Sequence, residues 1–160
     1  MLNQIIEQNT VDISVIIFAL IYNLLVIMVF IFRAHERYEQ EEKIGPIFDL
    51  LVIPFVILLL LNIFISSDRG RIGTIIPMIA YLLYDIWYRQ MTKKKPKHHP
   101  EKWPKELVLY LILFYFAGMA ITGYAFIVSK EYGLLVLTIF MVSIGAYFYY
   151  QLTYNKKKKI

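Results

Sequence analysis

Asp49 and Asp85 each fall inside a long apolar run, where a carboxylate is out of place. A charge at the centre of a membrane helix costs on the order of 2.5–3.5 kcal/mol on insertion scales, so such a residue needs a partner or a task. Each lies about four residues, roughly 6 Å, inside the end of its run. Two carboxylates at similar depth on neighbouring helices could bind a cation. They could also exchange a proton, since like charges held close disfavour double ionisation. The competing reading is stabilisation, with Asp85 pairing with Arg89 one turn on, and Asp49 with Arg33 or another cation at the same boundary. Asp49 near a helix N-terminus is also favoured by the helix dipole. Lys105 and Glu106 reach the same level.

Two uncharged groups join this list. Asn23 falls in the middle of an apolar run, where an amide either bonds a neighbouring helix or lines a solute path. Tyr81 belongs to a semi-polar stripe, Thr74, Met78, Tyr81, Asp85 and Tyr88, whose spacing puts it on one helical face turned from lipid. Asn62 reads as packing near a membrane interface.

The elements that must position these groups follow from composition. The 160 residues allow a single domain, 59% of them are hydrophobic, and the mean hydropathy is +0.56. That exceeds the ~45–50% apolar share of soluble domains, so the surface itself must be apolar. The expected fold is all-α, a five-helix transmembrane bundle with spans at about 11–32, 45–66, 72–88, 106–128 and 133–152. Residues 1–10 carry no Lys or Arg and read as a polar lead rather than a signal peptide. Residues 33–44 read as a mixed-charge extension of the first helix. Gly45-Pro46 should break and restart the chain. Residues 67–71 read as a tight turn and 129–132 as a short connection.

Orientation follows from the basic residues. The connection 89–105 holds seven of the seventeen Lys and Arg. With residues 33–44 and the lysine tail, it puts fourteen on one side of the membrane and three on the other. Basic loops stay cytoplasmic, so the expected topology is N-terminus out and C-terminus in, in the cell membrane, multi-pass. The basic loop and tail should meet anionic lipid headgroups. Nucleic acid is not an expected partner, because no aromatic-interleaved RNA motif accompanies the lysines.

Gly118, Thr122, Ala125 and Ser129 share one face of the fourth span and suit close helix packing, with Thr138 and Gly145 of the fifth as the matching surface. Homo-oligomerisation through that face is the alternative. No cysteine is present, which removes disulfides, thiol redox chemistry and Cys-ligated metals. His98-His99 with Glu101 lacks a third ligand at fixed spacing, so no metal site is expected. Nor is any cofactor: His35, His98 and His99 all fall outside the spans and cannot clamp a haem. No catalytic motif occurs, and an enzyme is not expected. The leading functional reading is an accessory or scaffolding membrane component. The alternative is a small transporter or channel for protons, cations or a small solute, using Asp49 and Asp85, with Asn23 and Tyr81 on its path. A lipid-modifying enzyme at the inner interface, using Asp85, Arg89 and the basic loop, ranks third.

Overall fold

The computed structural model describes residues 2–65, 68–92 and 105–157, with side chains described for 6–65, 68–88 and 105–154. The chain there is all helix: α1 (Leu2–Ala34), α2 (Tyr38–Ile65), α3 (Arg69–Thr92), α4 (Lys105–Val128) and α5 (Lys130–Lys157). Four segments, Ile6–Ala34, Tyr38–Ile65, Lys105–Val128 and Lys130–Tyr154, are long and apolar enough to cross a membrane. The basic run at 93–104, with His98 and His99, and the last lysines lie outside the described residues.

The helix ends differ from the sequence reading in ways the local chemistry explains. α1 begins at Leu2, so the polar lead is its first turns. It stops at Ala34 instead of running on through the mixed-charge segment. Arg37 donates its N–H to the Phe32 carbonyl at 2.9 Å and Glu36 to that of Arg33 at 3.1 Å, a Schellman stop with Glu36 left-handed at φ 59°. Across this turn Arg33 Nε donates to Glu41 Oε1 at 2.9 Å.

α2 then runs unbroken through Gly45-Pro46, contrary to the expected break. Pro46 withholds one N–H, and the carbonyl it would have served belongs to exposed Glu42, within reach of water. Asp68 caps α3, accepting the Gly70 N–H at 2.8 Å, and Ser129 caps α5, accepting the Tyr132 N–H at 3.2 Å. The α4–α5 connection is thus Ser129 alone.

The five helices form a closed ring. Each packs on the next, α5 returns to α1, and α1 and α4 also touch across the middle. Outward faces are apolar: Ile13, Ile17, Leu24 and Met28 on α1, Leu50, Ile53 and Ile57 on α2, Ile112, Phe116 and Met119 on α4. A bundle made for water would carry polar side chains there. α3 is less apolar on average, yet its exposed stripe is Gly73, Ile76, Ala80, Leu83 and Trp87, while Met78, Tyr81, Asp85 and Tyr88 are buried.

α4 and α5 approach closely at two glycines. A Cβ on Gly118 would sit 2.2 Å from the Phe140 ring, and one on Gly133 2.2 Å from the Phe126 ring. The surface that meets Gly118 is therefore Phe140, not Thr138 and Gly145. Thr138 is exposed and bonds its own Leu134 carbonyl, and Gly145 faces open space.

Candidate functional site

Polar side chains gather inside the ring in two layers. The first lies where the start of α1 meets the end of α2, the start of α3 and the end of α4. Asp12 is 2% exposed, because Val11, Asp12, Val15, Ile16 and Ala19 form the buried face of α1. Its Oδ1 accepts from Tyr124 Oη at 2.7 Å and from Gln8 Nε2 at 2.8 Å. Its Oδ2 accepts from the Arg71 guanidinium at 3.1 Å.

Asn62, wholly buried at the end of the α2 stripe, joins the same knot. Its Oδ1 lies 3.3 Å from Tyr124 Oη and 3.4 Å from Gln8 Nε2, while its Nδ2 donates to the Leu58 carbonyl at 3.0 Å. Arg71 also donates to Asp68 Oδ2, at 3.2 Å. One carboxylate thus gathers side chains from α1, α3 and α4 directly, and α2 through Asn62.

The second layer lies about 15 Å further along α1, at ten residues of 1.5 Å rise. Tyr81 and Tyr110 share a hydrogen bond between hydroxyls at 3.0 Å. The Tyr22 ring meets the Tyr81 ring edge-on at 6.0 Å and the Phe48 ring at 5.9 Å. The Tyr22 hydroxyl stands within electrostatic reach of Tyr81, Tyr110 and Asp85, without a hydrogen bond of good geometry among the described residues. Asp85 is 9% exposed, one turn along α3 from Tyr81. Phe114 closes the layer against Tyr81 at 5.8 Å. Between the layers the filling is apolar, with Phe55, Leu58, Ile75, Met78 and Ile121 among the buried residues.

The residues singled out in the sequence scatter across this plan. Asp85 and Tyr81 come together in the second layer. Asp49 is half-buried, just off the α2 stripe of Ile44, Phe48, Leu51, Phe55, Leu58 and Asn62. Asn23 is wholly buried; its Nδ2 donates to the Ala19 carbonyl at 2.9 Å, and its Oδ1 has no hydrogen-bond partner among the described residues. Arg33 is engaged by Glu41 and lies over the Phe30 ring at 5.7 Å. Glu106 is exposed, and its backbone carbonyl accepts from the Tyr84 hydroxyl at 3.1 Å. The Arg89 side chain, and with it the pairing expected with Asp85, lies outside the described residues.

Asp12, Gln8, Asn62, Arg71 and Tyr124 escaped the sequence reading as a group, although Asn62 was read as packing, and it is wholly buried near the end of α2. A signal was present: Asp12 and Arg71 are opposite charges at the same end of two expected spans. The polar atoms of these layers can accept, donate and carry charge, which suits binding of a cation, a proton or a small polar solute. No protein-family model matches this chain, and no similar curated protein or solved structure was found.

Proposed function

We propose that this chain is a five-span membrane protein that passes protons, or a small cation, through the centre of its bundle. The carrying observation is the second layer, where Asp85 is buried one turn along α3 from Tyr81, whose hydroxyl shares a hydrogen bond with Tyr110 and whose ring meets Tyr22 edge-on. A carboxylate kept in such a place is, by default, a functional group. Phenols can relay a proton to it, or offer oxygens and ring faces to a cation.

The topology belongs to the same proposal. α3 has 24 residues, about 36 Å of helix, enough for a ~30 Å core. Its mean hydropathy is lowered by the arginines near its ends and by buried Asp85, and its outward stripe is apolar. With α3 as the fifth span, the basic 89–105 connection and the tail lie inside, against anionic headgroups, and the Asp12 end faces out. The membrane is then the cell membrane.

The experiment is flux into proteoliposomes under a proton or potassium gradient. Asp85→Asn should lower the flux at least tenfold while the protein stays monodisperse and melts as before. Equal flux through the folded variant overturns the reading. A second reading, an accessory or scaffolding component, is favoured by the mutual pairing around Asp12, which is how a static tie behaves. Absence of any flux, together with co-purification of one stoichiometric membrane partner in mild detergent, would establish that reading instead.

A further inference from the structure

Transport through a closed ring requires an end that can open, and the Asp12 end carries a side chain with two alternative partners. Arg71 is shared between two carboxylates. One guanidinium nitrogen donates to Asp12 on α1 at 3.1 Å, the other to Asp68 at 3.2 Å, three residues back at the cap of its own helix. Asp12 is almost wholly buried, whereas the Asp68 side chain is 38% exposed and Arg71 itself 21%.

We propose that the Asp12–Arg71 pair is the latch that holds this end of the bundle shut, with Asp68 as the partner Arg71 keeps when the latch opens. Arg71 can leave α1 without losing every counter-charge, because the bond within its own helix is already made. It needs little travel, because the Arg71 side chain is already partly exposed. On the other side of the break, Asp12 keeps Gln8 and Tyr124 as donors, and water entering from the opened end solvates it.

Opening draws Arg71 away from Asp12 across the ring and uncovers the apolar layer beneath, where Ile75 is one turn below Arg71 and Ala19 two turns below Asp12. Asp68 already caps α3 through Oδ1, and its Oδ2 gives Arg71 a second place to go. A gate uses such a place, since alternating access requires two arrangements of comparable stability. The latch takes its purpose from the transport reading, but its measurement does not depend on flux.

The chain has no cysteine, so single reporters are clean. Ala19→Cys lies below the latch, and Ala34→Cys is buried at the opposite end. In lipid nanodiscs, where both ends are accessible, Asp12→Asn should raise the maleimide labelling rate at the first reporter at least tenfold. The second reporter should be unchanged. Arg71→Gln alters a partly exposed residue and should give the same pattern, which keeps the test alive if Asp12→Asn does not fold.

Unchanged rates at both reporters in either folded variant overturn the latch, and so does a parallel rise at both, which is general loosening. A flat labelling result with normal Asp85-dependent flux sinks the latch alone. Raised labelling with no flux sinks transport alone and leaves an end that opens for another purpose.

Discussion

Asp12 accepts from three side chains, and each donor offsets part of the cost of holding its carboxylate away from water. Hydrogen bonds between membrane helices average about 0.6 kcal/mol and reach about 1.7. Tyr124 bonds both Asp12 and Asn62, so it ties three helices with one hydroxyl. Tyr124→Phe should therefore lower stability by about 1 kcal/mol, read from unfolding in mixed detergent. Tyr132→Phe, at an exposed position, should change nothing; equal effects of the two would show that the knot holds nothing. At this scale the chain was half legible. Asp85 stood out because a carboxylate falls inside an expected span, and Tyr81 because it shares a semi-polar stripe with it. Asp12 did not, because it sits where a span was expected to begin and where a charge looks ordinary. It is buried where Arg71 and Tyr124 meet it, and the extension of α1 back to Leu2 brings Gln8 into reach.

The helices themselves were plain from apolar run length, and their ends were not. Glu36 takes a left-handed conformation that usually falls to glycine, so nothing in its type announced the stop of α1. The Gly45-Pro46 pair looked like a break, yet the N–H that Pro46 withholds would have met the carbonyl of exposed Glu42, at the edge of α2. Close packing of α4 on α5 was readable from small residues, but the small side chain and its large partner lie on different helices. The run of spacing on α4 could not name Phe140. Gly118→Ala pushes a methyl into that buried ring, and overpacking of this kind costs about 1–3 kcal/mol. Gly145→Ala meets open space and should be neutral or slightly stabilising, since alanine favours helix. Equal melting of the two variants would contradict the α4–α5 arrangement.

The whole molecule is a ring of helices whose outside resembles lipid and whose inside holds two polar layers around an apolar one. That inversion gives α3 its meaning. Averaged along its length it is too polar for an obvious span, but in its middle Tyr81 and Asp85 are turned into the ring. Charge distribution sets the side expected for each end, because that expectation depends only on sequence and on the membrane. How the faces meet was not available from one chain, since periodicity marks a face without naming its neighbour. Transport, latch and orientation all require α3 to cross. The direct measurement labels Arg69→Cys and Lys105→Cys, placed at the starts of α3 and α4, with an impermeant maleimide on intact cells. The account predicts labelling of the first from outside and of the second only after permeabilisation. Labelling of both from the same side would leave α3 lying along the membrane, and the two polar layers would have no bundle to cross.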